Sequence, residues 1–144
     1  MANFLYLGSY ENATDGHTLK TIGITHILNM ADELENAFPD KYKYKHCRLN
    51  DTSKDSIMPL INSCIHFIEE ARTSTCNKIL IHCAMGISRS SAMTIAWLMF
   101  HYQWSFIQAK DFVRSQRSTI KPNEGFVSQL IQYEHELHNN NINK

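Results

Sequence analysis

The stretch that decides the fold is Ile79-Leu80-Ile81-His82-Cys83-Ala84-Met85-Gly86-Ile87-Ser88-Arg89-Ser90-Ser91. Its first, apolar residues predict a short buried strand, and a helix is predicted to begin at Arg89. In the loop between them, Gly86 provides a backbone that can wrap closely around a ligand. A loop that leads into a helix points free N–H groups at one spot, and the helix dipole adds positive charge there. The sequence therefore predicts an anion cradle of about the size of a phosphate group.

Cys83 and Arg89 carry the chemistry of this stretch. The Arg89 guanidinium offers a planar fork of donors that can hold two phosphate oxygens at once. Cys83 lies at the bottom of the predicted cradle, and no acidic residue occurs between Lys78 and Trp97. A thiol among positive charges loses its proton more easily, and the thiolate is the nucleophilic form. We expect a Cys83 thiolate that faces a bound phosphoryl group, although a buried cysteine can also be a small apolar residue without chemistry.

The pattern His82-Cys83-x-x-Gly86-x-x-Arg89-Ser90 resembles the signature of the cysteine-dependent protein phosphatases. Flanking segments resemble the small (atypical) dual-specificity phosphatases of the protein tyrosine phosphatase superfamily, and the likeness runs from Phe4 to Leu137. Those segments are Tyr6-Leu7-Gly8-Ser9, Ala96-Trp97-Leu98-Met99 and Pro122-Asn123-Glu124-Gly125-Phe126. The resemblance implies an α/β fold in which a central twisted mixed sheet of about five strands is flanked by helices on both faces.

The residue patterns also alternate strands with helices, which is typical of an α/β protein. With 144 residues of which 43% are hydrophobic, the chain is long and apolar enough for one folded domain. We expect a single catalytic domain over residues 1–138 and a frayed polar tail over 139–144. The predicted strands are Phe4–Leu7, Ile24–Met30, Lys41–Leu49 and Lys78–Ile81. Lysines on one face of the third strand indicate either a protected sheet edge, which we favour, or a face that attracts phosphate.

The balance of charge limits the classes of partner that we expect the chain to bind. Fourteen Lys and Arg residues offset 14 Asp and Glu residues, and the pI is about 7.1, so we expect neither nucleic-acid nor membrane binding. The four cysteines show no disulfide or metal-site spacing, which favours reduced thiols and a cytoplasmic or nuclear location. The histidines form no ligand-spaced cluster, so we expect no metal and no other cofactor. The oligomeric state stays open.

Phosphoryl transfer to a thiolate also needs an acid that protonates the leaving oxygen. The candidates that precede the cradle are Asp32, Asp40, Asp51 and Asp55. The resemblance places the acid on the loop after the Lys41–Leu49 strand, and Asp51 matches that position. We favour Asp51 over Asp55, which we expect to face water or to cap the next helix. The alternative for Asp51 is a loop aspartate that only forms an Asx turn.

The resemblance assigns roles to further residues. Backbone N–H groups of Ala84, Met85, Gly86, Ile87, Ser88 and Arg89 would bind the phosphate. The Ser90 hydroxyl would donate to the departing thiolate, and His82 would organise the loop rather than transfer a proton. Arg117 either meets a second substrate phosphate or is solvated at the surface.

The function that follows is hydrolysis of phosphotyrosine and of phosphoserine or phosphothreonine on proteins through a phosphocysteine intermediate. One alternative is a catalytically weak module that binds phosphopeptides. Another is a phosphatase for lipid or RNA phosphates, whose relatives tend to carry more basic residues in or near the cradle. Ala84, Met85 and Ile87 are uncharged, which favours phosphoprotein substrates.

Overall fold

The computed structural model of the chain describes residues 3–142, and one parallel sheet of four strands forms its centre. The strands are β1 (Leu5–Gly8), β2 (His26–Asn29), β3 (Lys43–His46) and β4 (Ile79–His82). Their order in the sheet is β1-β4-β2-β3, and each neighbouring pair is parallel. β3 is therefore an edge strand, as we favoured from its lysines, and Lys43 forms an ion pair with Glu70.

The expected mixed sheet of about five strands is wrong: residues 3–142 form four strands, all parallel. Helices α1 (Tyr10–Thr14) and α2 (Gly16–Ile22) return the chain from the end of β1 to the start of β2, and α3 (Met58–Arg72) does the same between β3 and β4. Such crossovers make consecutive strands parallel. The residue patterns indicated four strands, whereas the fifth strand and the mixed directions came from the resemblance alone.

Three helices follow the sheet: α4 (Arg89–Tyr102), α5 (Phe106–Gln116) and α6 (Glu124–Ile142). α6 continues through the segment in which we expected the frayed tail, and residues 143 and 144 lie outside the described residues. The asparagines of that segment have modest helix propensity, but neither glycine nor proline interrupts it. No helix within residues 3–142 combines the length and the apolar character that crossing a membrane requires.

The sheet separates two apolar layers, so helices cover both faces as predicted. Ile79 and Ile81 of β4 belong to the larger core, which they share with residues of α3, α4, α5 and α6. Leu80 points to the opposite face, where it joins a smaller cluster with residues of α1 and α2. This alternation is the period-two pattern of a strand that is buried on both faces.

The carboxyl ends of all four strands lie in one row. Gly8, His82, Asn29 and His46 are paired in register across the sheet. Because the strands are parallel, the loops that follow these residues leave from the same edge, which is where ligands bind in folds of this kind.

Candidate active site

The phosphate loop, residues 83–89, runs from the end of β4 to the first residue of α4. Each carbonyl oxygen from Ala84 to Ser88 accepts a hydrogen bond from a residue beyond the loop. The N–H of Tyr10, for example, donates to the Ala84 oxygen at 2.9 Å, and the N–H of Lys121 donates to the Ile87 oxygen at 2.8 Å. The N–H groups of 84–88 donate to no acceptor within the described chain. The C=O of one residue and the N–H of the next share a peptide and point in opposite directions. The N–H groups of 85–88 therefore face the concave side and form an anion-binding nest.

Gly86 is the residue that this curvature requires. Its φ is +70°, in the left-handed region that side chains other than glycine rarely adopt. A Cβ atom at this position would lie 2.8 Å from the carbonyl oxygen of Gly8 and 2.7 Å from Nη2 of Arg117. The loop is therefore packed between β1 and the Arg117 side chain, with no room for a methyl group.

Arg117 braces the outside of the phosphate loop. Its Nε donates to the Gly86 oxygen at 3.1 Å, and its Nη2 donates to the Met85 oxygen at 3.2 Å. We expected this guanidinium either to meet a second phosphate or to be solvated. The structure places it where it holds two loop carbonyls outward and so keeps the N–H groups of the same peptides facing inward, and contact with a second phosphate stays a prediction.

Cys83 directly follows β4 and is 2% exposed. Its Sγ lies 3.1 Å from Oγ of Ser90, which the first turn of α4 positions and which is completely buried. Nδ1 of His82 lies 3.2 Å from the Cys83 carbonyl oxygen. Burial lowers the pKa of His82 to about 4, so its imidazole is neutral near neutral pH. A neutral ring against the loop backbone favours the organising role over proton transfer.

Arg89 is 6% exposed, and three of its five N–H donors are used inside the protein. Nη1 donates to Oε2 of Glu33 at 2.7 Å and to the Leu49 oxygen at 2.9 Å, and Nη2 donates to Oε1 of Glu33 at 2.6 Å. Nε is buried and has no hydrogen-bond partner within residues 3–142. The two remaining donors, on Nε and Nη2, lie side by side on the guanidinium. They form the fork that matches two phosphate oxygens.

Glu33 is the functional residue that sequence reasoning missed. It lies in the acidic segment after β2, which showed no motif; the available signal was only its position past the end of a strand beside β4. Hydrogen bonds from Arg89 lower the pKa of Glu33 to about 2, so the carboxylate is ionised. The same bonds raise the pKa of Arg89, and the charges of Cys83 and Asp51 raise it further. The charges of Glu33, Cys83 and Asp51 therefore all act on the Arg89 guanidinium.

The structure distinguishes the two aspartates of the acid loop, residues 50–56. Both carboxylate oxygens of Asp55 close the local turn: Oδ1 accepts from Oγ1 of Thr52 at 2.6 Å and Oδ2 from the Asn50 N–H at 3.2 Å. Asp51 is exposed, and its Oδ1 accepts from Nδ2 of Asn123 at 2.8 Å. Asp55 thus shapes the loop, whereas Asp51 has an exposed side chain close enough for its charge to act on Arg89.

Comparison with known proteins shows the family of the chain. Residues 5–136 match the catalytic domain of the dual specificity phosphatases. The chain belongs to the dual-specificity phosphatase family. This domain is therefore of the cysteine-dependent protein phosphatase class, whose members are hydrolases.

Two relatives and one solved structure show how far the likeness of this dual-specificity phosphatase domain extends. A probable rhodanese domain-containing dual specificity protein phosphatase from Dictyostelium discoideum is 42% identical over 94% of the chain, and the protein phosphatase Slingshot from Drosophila melanogaster is 40% identical over 90%. The chain spans only 28% and 12% of the length of these two proteins. The crystal structure of human DUSP28 superposes with a TM-score of 0.91 at 27% identity, over 96% of both chains.

Proposed function

We propose that this domain hydrolyses phosphate monoesters on tyrosine and on serine or threonine side chains of proteins, through a phosphocysteine intermediate. One observation carries the proposal. The Cys83 sulfur lies at the floor of a loop whose N–H groups face inward, beside an Arg89 guanidinium with two adjacent free donors. Donors arranged in advance around the transferring group stabilise the charge that it carries in the transition state.

In the first step, the inward N–H groups and the Arg89 fork bind the phosphate oxygens. The Cys83 thiolate attacks phosphorus in line, so the S–P bond forms as the P–O bond to the substrate side chain breaks. Asp51 gives its proton to the departing oxygen, which leaves as the free hydroxyl group. Asp51 is then a carboxylate, and the phosphoryl group stays on sulfur.

In the second step, water attacks the phosphorus of the phosphocysteine. Asp51 now accepts a proton from this water, as the reverse of its first role requires. The S–P bond breaks, and inorganic phosphate and the Cys83 thiolate are released. The Ser90 hydroxyl, 3.1 Å from the sulfur, donates a hydrogen bond to the thiolate as it leaves.

The entrance of the site fits a protein substrate. Met85 is 67% exposed on the phosphate loop, next to the half-buried Ala84, and neither residue is charged. The cation of Arg117 is engaged with the loop carbonyls. A polyphosphorylated headgroup would need cations at this entrance, whereas a peptide that flanks a single phosphorylated residue can contact an apolar surface.

The test is hydrolysis of p-nitrophenyl phosphate and of phosphotyrosine and phosphothreonine peptides, compared with the Cys83→Ser variant. We expect turnover of all three substrates, and a loss of about 10⁴-fold or more in kcat when the nucleophile is removed. Acid quenching during turnover should trap phosphate on the peptide that contains Cys83.

Cys76→Ser is the matched control, because Cys76 is exposed in the turn before β4 and outside the site. Its activity should equal that of the unmodified protein. A protein that binds phosphopeptides without Cys83-dependent turnover would be a binding module. A preference for phosphoinositides or RNA 5′-phosphates over phosphopeptides would replace the proposed substrate class.

A further inference from the structure

Asn123 joins the two loops of the site, although its side chain has no reactive chemistry. Its Nδ2 donates to Oδ1 of Asp51 at 2.8 Å, and its backbone N–H donates to Oγ of Ser88 at 2.9 Å. Its Oδ1 accepts from the N–H of Phe126 at 2.9 Å and so caps the first turn of α6. One residue therefore contacts the acid loop, the phosphate loop and the start of a helix.

The helix cap decides which way the Asn123 amide faces. The N–H of Phe126 needs an acceptor, which only the amide oxygen can be. The amide nitrogen is therefore the group turned toward Asp51, and it can only donate. An oxygen that accepts this hydrogen bond is a poor place for a proton, so Asp51 carries its proton on Oδ2.

We propose that Asn123 is a positioning residue for the general acid: it holds Asp51 by Oδ1, so that Oδ2 gives the proton to the leaving group. The proposal rests on the function proposed above. In the first step the O–H bond of Oδ2 breaks as the substrate oxygen takes the proton, and Asn123 donates to the carboxylate that remains. In the second step Oδ2 takes a proton back from the attacking water.

The backbone around Asn123 sets where the acid lies relative to the nucleophile. The N–H of Lys121 donates to the Ile87 oxygen at 2.8 Å, which ties this segment to the phosphate loop a second time. On the other side, Gly125 lies so close to the acid loop that a Cβ atom would be 2.3 Å from the Ser53 oxygen. Both loops are thus held against the start of α6, with Asn123 between them.

Asn123→Ser separates helix capping from acid positioning. Serine caps helices about as well as asparagine, but its short side chain has no amide to reach Asp51. We expect kcat/KM to fall about ten-fold for phenyl phosphate, whose poor leaving group needs the acid. For p-nitrophenyl phosphate, whose leaving group departs without help, we expect a fall of less than about three-fold.

A double-mutant cycle with Asp51→Asn shows whether the effect passes through the acid. With Asp51 already replaced, Asn123→Ser should cause no further loss on phenyl phosphate. Ser105→Ala, which removes the cap of α5 away from the site, is the control for stability. It should lower the unfolding temperature without changing the ratio of the two substrates.

The inference is overturned if Asn123→Ser keeps the substrate ratio of the unmodified protein, or if its loss adds in full to that of Asp51→Asn. Either result would leave the phosphatase activity itself in place. An unmodified protein without Cys83-dependent turnover would instead overturn the proposed function, and this inference with it.

Discussion

The phosphate loop and the acid loop serve the same step of the proposed reaction but are held in opposite ways. The phosphate loop is mostly buried apart from the exposed Met85 side chain, and bonds from α1, α4 and the segments around Arg117 and Lys121 hold its carbonyls in place. The acid loop is mostly exposed, and its own turn and the start of α6 hold it. In the proposed reaction, binding of the anion would therefore depend on a rigid cradle, whereas proton transfer would depend on one exposed side chain with one hydrogen bond from the protein.

This difference has a physical reason. Backbone donors stabilise a transition state only if they already point at it, because reorienting them during the reaction would cost the energy that they supply. A general acid must instead exchange protons with water between the two steps, so it has to stay accessible. Damage to the phosphate loop should consequently affect every substrate, and damage to the acid loop only those with poor leaving groups.

Gly86→Ala should distort the rigid phosphate loop and should change activity most. The added methyl group meets the Gly8 carbonyl and cannot adopt the positive φ cheaply, so the loop must move and misalign its N–H groups. We expect kcat/KM to fall about 10³-fold for good and poor leaving groups alike. Unfolding in urea should show a loss of about 3 kcal/mol.

Gly23→Ala is the control for this prediction. Gly23 also has a positive φ, +91°, but no atom lies within 4 Å of a Cβ placed there. It should lose about 1 kcal/mol of stability through backbone strain alone and keep full activity. If the two variants lost similar activity, positive φ rather than crowding against the phosphate loop would explain both.

Asp51→Asn tests the exposed acid loop, and Asp55→Asn in the same loop is the variant with which it is compared. Asparagine at position 51 cannot supply a proton, so kcat/KM for phenyl phosphate should fall about 100-fold and that for p-nitrophenyl phosphate much less. Asp55→Asn should change stability more than it changes the substrate ratio, because Asp55 only closes the turn with Thr52 and Asn50. Equal effects of the two variants on the ratio would show that Asp51 is not the acid.

The same contrast explains what the sequence could reveal. Cys83, Gly86 and Arg89 lie within one continuous strand, loop and helix, so their spacing predicts a cradle without knowledge of the rest of the chain. The choice between Asp51 and Asp55 needed the resemblance, because the contact that distinguishes them comes from a residue 72 positions away.

The two free donors of Arg89 could not be predicted from the sequence for the same reason. It depends on Glu33 and on the Leu49 carbonyl, 56 and 40 residues from Arg89. The number of strands, in contrast, could be predicted from local patterns. Local apolar patterns indicated four strands correctly, and the error of a fifth came from transferring a family's sheet without residues that form it.

Glu33→Gln should change activity least, because it alters the orientation of the Arg89 donors rather than removing one of them. Glutamine can accept from one Nη of Arg89 but turns an amide N–H₂ toward the other. We expect about a ten-fold rise in KM and in the inhibition constant of vanadate, with little change in kcat for either type of leaving group. A fall in KM would mean that Glu33 competes with the phosphate instead of orienting the guanidinium.

The ion pair also predicts a pH dependence of stability. Because Arg89 lowers the pKa of Glu33 from 4.5 to about 2, the stabilisation is fully present above pH 4.5 and is lost as the pH falls toward 2. The difference in unfolding free energy between the unmodified protein and Glu33→Gln should shrink over that range. It should be modest, since the Glu33 side chain is 49% exposed. Glu35→Gln, at the more exposed neighbour that pairs with Arg48, should leave KM unchanged, which would tie the KM effect of Glu33→Gln to the guanidinium of Arg89.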